Sequence, residues 1–203
     1  AAVINDGKIL GVVPKTFLPN HLEFYEQRWF TSSCFSNSDT IVLDGDSIPF
    51  GADLLFSISS VPNGIFGIEL CEDLWSVIPP SSQMSLAGAT IIVNLSASPD
   101  TLERSDYRRS LVANQSARCI NGYVYCSSGP WESTTDLLFS GHNLIAENGV
   151  LIAESEKRSF ESNYIIGEID LDFLNSDRIK NSTFIHYDFY KKFRTITIDS
   201  NIV

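Results

Sequence analysis

The feature that most constrains this chain is a largely apolar run at residues 64–70, bounded by turn residues and ending at Cys71. Such a run is typical of a strand that is buried on both faces of a sheet. A second run of this kind follows at residues 89–95. Because a strand buried on both faces needs a packed layer on each side, the sequence predicts a layered α/β fold with a mixed sheet.

The remaining pattern alternates strands with helices and shows no linker that would divide the chain. Further strands are predicted at residues 1–4, 9–13, 40–43, 54–59, 123–127, 142–146, 150–154 and 165–171, and helices at residues 81–87 and 105–120. Ser81 or Ser82 is the expected cap of the first helix. Ser105 is the expected cap of the second, with Arg108 on its polar face. Beyond residue 172 the sequence becomes polar and less regular.

The charge balance excludes two classes of partner. The 203 residues include 14 basic and 25 acidic side chains, for a formal net charge of −11 at pH 7. A protein that binds duplex nucleic acid or an anionic membrane needs a basic face, and these basic residues are spread along the chain. We therefore expect neither a nucleic acid nor a membrane as partner.

The cysteine pattern indicates a reducing compartment. Cys34, Cys71, Cys119 and Cys126 match no zinc-binding spacing and no Cys-x-x-Cys redox pair. The sequence shows no signal peptide, and its longest apolar stretch, residues 89–93, is too short to span a bilayer. These observations predict a cytoplasmic protein with reduced thiols and no metal site.

Cys71 is the strongest candidate for chemistry, because it ends a buried strand and is followed at once by Glu72 and Asp73. Open α/β sheets keep reactive groups at this end of their strands, and a sharp turn there lifts a nucleophile out of the sheet. The alternative is a buried structural cysteine. Adjacent carboxylates disfavour a thiolate, so a catalytic Cys71 needs a cation nearby. Lys15, which also follows a strand, is the candidate, although a solvated surface lysine is the alternative.

Several motifs, taken in order along the chain, resemble one known family. They are Pro14-Lys15-x-x-Leu18-Pro19-Asn20, Cys71-Glu72-Asp73-Leu74-Trp75, Asn94-Leu95-Ser96-Ala97-Ser98-Pro99, Ser133-Thr134-Thr135-Asp136-Leu137 and Glu147-Asn148-Gly149. Together they resemble the carbon–nitrogen hydrolase (nitrilase) superfamily, and within it the glutaminase domain of glutamine-dependent NAD synthetases. The resemblance extends to about residue 184.

The resemblance implies the fold and the domain organisation. The expected fold is a nitrilase-like α-β-β-α sandwich that is N-terminally incomplete. Residues 1–184 would form the glutaminase domain without its N-terminal part, and residues 185–203 an extension towards an absent synthetase domain.

The resemblance also implies a Glu-Lys-Cys catalytic triad. Cys71 matches the nucleophile and Lys15 the lysine, while Glu23 matches an auxiliary glutamate that orients the lysine and the substrate. The catalytic glutamate of the family precedes the lysine, and no glutamate occurs at residues 1–14. We therefore expect the isolated chain to be inactive.

For the substrate, the family implies L-glutamine. Ser98 and Arg104 match the positions that bind its α-carboxylate, and Glu72 is the candidate for its α-amino group. His21 stands where the family usually carries tyrosine, and we expect it to line the pocket.

The resemblance assigns no cofactor to this chain, because ATP and magnesium would serve the absent synthetase domain. That domain would use the ammonia to amidate nicotinic acid adenine dinucleotide. The intact enzyme is expected to be a homo-oligomer. Two alternatives remain open: a non-catalytic nitrilase-fold module for binding or assembly, and a free-standing amidase for another small amide.

Overall fold

The computed structural model describes residues 1–185 and 192–199. The strands are β1 (Ala2–Asn5), β2 (Lys8–Val12), β3 (Thr40–Leu43), β4 (Asp46–Pro49), β5 (Leu54–Ile58), β6 (Ile65–Leu70), β7 (Ile91–Ser96), β8 (Gly122–Ser127), β9 (Leu144–Glu147), β10 (Val150–Glu154) and β11 (Arg194–Ile198). The α-helices are α1 (Pro80–Leu86), α2 (Arg104–Cys119), α3 (Leu171–Lys180) and α4 (Ser182–Ile185), and 3₁₀ helices lie at Glu26–Arg28, Ser33–Phe35, Cys71–Trp75 and Pro130–Glu132. Within these ranges no helix combines the length and apolar character needed to cross a bilayer.

A mixed seven-stranded sheet organises the molecule, in the order β10-β9-β8-β7-β6-β5-β11. Strands β6, β7 and β8 run parallel at its centre. Strand β5 pairs antiparallel with β6, and β9 pairs antiparallel with β8. The two runs predicted to be buried strands are β6 and β7, which confirms that prediction. Because Leu70 lies opposite Leu95, both strands end at the same edge of the sheet, immediately before Cys71 and Ala97.

Apolar layers cover the sheet on both faces. One cluster joins sheet residues such as Leu55 and Tyr123 to Met84 of α1 and Val112 of α2. A second cluster, on the other face, contains Phe56 and Ile68 and packs against the β1–β2 hairpin. A helical layer, the large sheet and a smaller β layer therefore follow one another, in agreement with the predicted α-β-β-α class.

Helix α2 differs from the prediction at its start and on one face. It begins at Arg104 after Glu103, which has a φ of 62° and caps no N–H with its side chain, so Ser105 is not the cap. Helix α1 likewise follows Pro79 rather than a serine cap. Arg108, predicted on the polar face, is fully buried. The prediction was wrong because helical periodicity does not reveal a buried polar partner.

The structure differs most from the sequence-based predictions towards the end of the described chain. The strand predicted at residues 165–171 is wrong: residues 161–170 are irregular, and α3 follows, capped by the Asp170 side chain, which accepts from the Phe173 N–H at 2.8 Å. Strand β11, within the predicted extension 185–203, pairs parallel with β5. Residues 186–191 and 200–203 of that extension lie outside the described residues, and the division at residue 184 stays a prediction.

Helix α3 is held to the sheet layer by one buried cation. The Arg178 guanidinium donates to the carbonyl oxygens of Ile120, Ala89 and Cys119 at 2.9, 2.7 and 3.1 Å. Burial lowers the pKa of Arg178 to about 10. The side chain thereby satisfies carbonyl groups at the end of α2 that the helix itself leaves unpaired.

We expect Arg178→Ala to lower the free energy of unfolding by about 3 kcal/mol, because it leaves buried carbonyls without a donor. Arg118→Ala, on the exposed side of α2, should cost less than about 1 kcal/mol. Urea unfolding of both variants measures the difference. Equal losses in the two variants would show that Arg178 does not anchor the helix.

Candidate active site

A cavity of about 890 Å³ opens at the edge of the sheet where β6 and β7 end. Cys71, Lys15 and Glu23 all line it, although 56 positions separate the cysteine from the lysine. The wall is completed by apolar and aromatic side chains and by a few polar ones, among them Phe24, Tyr25, Trp29, Phe30, Leu95, Ser96, Thr134 and Asp136. The structure thus places the two predicted catalytic residues on one cavity wall.

The backbone at Cys71 is sharply turned. Its φ of 46° lies in the left-handed region, which costs a residue with a Cβ about 1–2 kcal/mol. Two side chains hold the turn: the Cys71 N–H donates to Asn94 Oδ1 at 3.1 Å, and the Leu70 N–H donates to Asp73 Oδ2 at 2.9 Å. The turn has the character of a nucleophile elbow.

Lys15 forms an ion pair with Glu26. Its Nζ lies 2.8 and 2.7 Å from the two carboxylate oxygens of Glu26, and both side chains are largely shielded from solvent. Glu23, the predicted auxiliary glutamate, makes no ion pair or hydrogen bond with Lys15 in the described part of the chain. Sequence reasoning missed Glu26, although it lies in the same acidic and aromatic segment.

Asp73 joins the lysine segment to the cysteine turn. Its buried carboxylate accepts from the N–H groups of Thr16 and Phe17 at 3.1 and 2.7 Å, in addition to that of Leu70. Burial raises the pKa of Asp73, while these N–H donors and the Lys15 ammonium oppose that rise. One side chain thus fixes the residues that follow Lys15 to those that flank Cys71.

The cavity is rich in carboxylates. Lys15 is the basic residue among the described lining residues, and Glu23, Glu26 and Asp136 are the acidic ones. Since Glu26 is paired with Lys15, two carboxylates are left to favour a cationic group on a bound molecule. Among residues 1–185 and 192–199, no three His, Cys, Asp or Glu side chains are grouped as a metal site would require.

Comparison with known proteins finds relatives of this chain. No protein-family model matches it. It is 44% identical over 184 residues to the glutamine-dependent NAD(+) synthetase of Mycobacterium tuberculosis, which is 91% of this chain and 27% of the relative. The chain is thus similar to one part of the glutamine-dependent NAD(+) synthetases. The chain therefore spans about a quarter of the length of the curated relatives that it matches.

Solved structures agree with this similarity. The crystal structure of a glutamine-dependent NAD(+) synthetase from Cytophaga hutchinsonii superposes with a TM-score of 0.65 at 30% identity, covering 79% of this chain and 25% of that one. A carbon–nitrogen hydrolase from Helicobacter pylori gives a TM-score of 0.65 at 20% identity, covering 93% of this chain and 64% of that one. The second match shows the shared fold alone.

The family resemblance implies four substrate-binding residues. None of them is among the described residues that line the Cys71 cavity. His21 and Glu72 line a second cavity, of about 1160 Å³, which shares Leu18 and Phe30 with the first. The Arg104 guanidinium stacks over Trp75, 4.1 Å from the ring centroid. Arg104 makes no ion pair with any residue that the structure describes, and its Nε has no hydrogen-bond partner there.

Ser98 belongs to a buried polar network instead of the cavity wall. Its Oγ accepts from Arg108 Nη2 at 3.3 Å, and Arg108 Nη1 lies 3.0 Å from His142 Nδ1. Because a guanidinium only donates, Nδ1 accepts and Nε2 carries the hydrogen that reaches Glu154 at 2.7 Å. Burial lowers the pKa of His142. The network explains why Arg108 is buried.

A buried carboxylate, Glu69, lies two residues before Cys71. It accepts from the Ser81 N–H at 2.9 Å and from the Tyr123 hydroxyl. Burial is the largest influence and raises the pKa of Glu69 to about 7, although both hydrogen bonds oppose it; the nearby Asp73 carboxylate adds to the rise. Sequence reasoning counted this residue within an apolar strand and missed it.

We expect Asp73→Asn to lower the free energy of unfolding by about 2 kcal/mol, because an amide nitrogen then faces a buried N–H group. Asp46→Asn, an exposed substitution of the same kind, should change it by less than about 0.5 kcal/mol. Urea unfolding compares the two. If both variants are as stable as the wild type, Asp73 does not join the two segments.

The raised pKa of Glu69 makes stability depend on pH. Between its ordinary value of 4.5 and about 7 the folded state retains a proton that the unfolded state has lost. This contribution favours the folded state at low pH and is lost as pH rises through that window, by about 3 kcal/mol in all. Glu69→Gln should remove it. The wild-type minus variant difference in unfolding free energy, measured from pH 4 to pH 8, should therefore fall, and a flat difference would contradict the assignment.

Proposed function

We propose that this chain is the glutaminase part of an NAD synthetase and cleaves the carboxamide of L-glutamine with Cys71 as nucleophile. The observation that carries the proposal is the sharply turned Cys71 on the same cavity wall as Lys15. The names of the relatives, which are glutamine-dependent NAD(+) synthetases, support the choice of amide.

The chemistry follows from these two residues. The Cys71 thiolate attacks the amide carbon and the carbonyl becomes a tetrahedral oxyanion. The Lys15 ammonium stabilises first the thiolate and then the oxyanion, and the N–H of Glu72 supplies a second donor. Collapse of the adduct expels ammonia, which takes up a proton from the base, and leaves a thioester. Water then hydrolyses the thioester to glutamate and regenerates the thiol.

The base requires a further carboxylate. Glu26 is bonded through both oxygens to Lys15, so we assign it the auxiliary role that orients the ammonium, in place of Glu23. We propose that the proton is moved by a glutamate outside residues 1–203, and that these residues alone do not turn over glutamine.

The substrate's charged groups have matching partners. Arg104, stacked on Trp75 and without an ion pair among the described residues, is suited to bind the α-carboxylate through two parallel hydrogen bonds. Glu23 and Asp136, on the cavity wall, are suited to bind the α-ammonium group.

The remaining assignments concern the whole protein. We propose that the ammonia is used to amidate nicotinic acid adenine dinucleotide in a separate synthetase domain, and that ATP and magnesium act there and not at Cys71. We further propose that the intact enzyme is a cytoplasmic homo-oligomer that engages neither nucleic acid nor membrane.

Ammonia release from glutamine by the full-length protein tests the function. We expect Cys71→Ser and Lys15→Met to lower kcat at least 10³-fold, because each removes a group that acts at the reacting atoms. Glu26→Gln should lower kcat by about 10²-fold through misplacement of Lys15. Glu23→Gln should instead raise KM by about tenfold, because it removes a ground-state contact.

If Glu23→Gln lowers kcat and Glu26→Gln only raises KM, the auxiliary role belongs to Glu23. Residues 1–203 expressed alone serve as the matched control and should release no ammonia. Turnover that survives Cys71→Ser would overturn the function itself.

A further inference from the structure

An unbroken chain of hydrogen bonds connects a buried carboxylate to the backbone of Cys71. The Cys71 N–H donates to Asn94 Oδ1 at 3.1 Å, and Asn94 Nδ2 donates to the Tyr123 hydroxyl at 3.1 Å. The Tyr123 hydroxyl donates in turn to the Glu69 carboxylate. Glu69, Asn94 and Tyr123 are all buried and lie on the three central parallel strands.

The direction of every bond in this chain is set at the Glu69 end. Its other oxygen accepts from the Ser81 N–H at 2.9 Å, so the ionised carboxylate faces a donor at each oxygen. With Glu69 ionised, the Tyr123 hydroxyl must therefore donate to it, and the hydroxyl oxygen is left to accept from the Asn94 amide nitrogen. That choice points the Asn94 oxygen at the Cys71 N–H.

The Cys71 backbone needs such a support. A residue with a Cβ enters the left-handed region at a cost, and it stays there only when its surroundings fix it. The Asn94 oxygen is the partner that binds the N–H of Cys71 itself, whereas Asp73 binds that of Leu70. If the Asn94 amide turned round, its nitrogen would face the Cys71 N–H and repel it.

We propose that Glu69, Tyr123 and Asn94 form a positioning relay that holds Cys71 in its turned conformation and keeps its thiol at the cavity wall that it shares with Lys15. Each member acts through the next, and none needs to touch substrate. The inference rests on the proposed function only in taking Cys71 as the reacting thiol. The groups that face Glu69 are Tyr123 from β8, Ser81 from α1, Asp73 from the 3₁₀ helix Cys71–Trp75 and Cys119 from α2.

Two substitutions disturb the relay at different points with little change of shape. Tyr123→Phe removes one hydroxyl and frees the Asn94 amide to turn. Glu69→Gln keeps an acceptor for the Ser81 N–H when its amide oxygen faces that group, so its amide nitrogen then donates to the Tyr123 hydroxyl and reverses the bonds further along. Tyr125→Phe is the matched control, because Tyr125 is a buried tyrosine on the same strand whose hydroxyl contacts Ser96.

The test measures the alkylation rate of Cys71 by iodoacetamide in the full-length protein, from pH 6 to pH 9.5, on the Cys71 peptide by mass spectrometry. The exposed Cys34 is the internal reference in every sample. We expect Tyr123→Phe and Glu69→Gln to move the rate profile upward by about one pH unit, because the thiolate loses the Lys15 ammonium. At pH 7.5 the alkylation rate of Cys71 should therefore fall about tenfold relative to that of Cys34.

Tyr125→Phe should leave the Cys71 profile within about twofold of the wild type, although it also loses a buried hydrogen bond. The relay is refuted if Tyr123→Phe and Glu69→Gln lower thermal stability but move the profile no more than Tyr125→Phe does. Should Tyr123→Phe not fold, Glu69→Gln decides alone. Iodoacetamide needs no substrate site, so shifted profiles in a protein that does not hydrolyse glutamine would contradict the proposed function and leave the relay standing.

Discussion

The arrangement at the sheet edge depends on one buried carboxylate. Asp73 accepts three backbone N–H groups from two segments, at Thr16, Phe17 and Leu70, that are more than 50 positions apart in the chain. A buried charge is tolerated only when it is satisfied in this way, and these N–H groups would otherwise be unpaired. The carboxylate thereby stabilises the loop and the turn in a single geometry. Without that connection, Lys15 and Cys71 would belong to separately moving loops.

Around this connection, two further networks of buried polar groups find their partners within the described part of the protein. Asn94 and Tyr123 serve the Cys71 turn, while Arg108 and His142 serve the loop that follows β7. Each network uses groups from several strands, so its members are fixed relative to the sheet and not only to one another. Rigidity of this kind is what a preorganised site requires. The surrounding aromatic wall, by contrast, comes from residues that flank the short 3₁₀ helix Glu26–Arg28, which has no buried residue.

The sequence predicted most elements of the sheet, because their signals are local: apolar runs, hairpin turns and helix stops lie within a few residues of one another. The resemblance of the motifs to a known family predicted that Lys15 and Cys71 lie at one site. What failed depended on distant partners. The burial of Arg108 depends on His142, 34 positions away, and helix α3 depends on Arg178 reaching carbonyls at the end of α2. The ion pair of Lys15 with Glu26 depends on the path of a short loop, which spacing alone does not define.

Strand β11 has a consequence for how the molecule is made. It pairs parallel with β5, and Arg194 binds Asp53 across 141 positions of sequence. During synthesis β5 leaves the ribosome long before β11, so one border of the central sheet stays unpaired while most of the domain is already formed. An uncovered strand border is a template for pairing with other chains. Strand β11 therefore covers the open edge of β5 only late in synthesis. The nascent protein is most vulnerable to association with other chains just before β11 emerges.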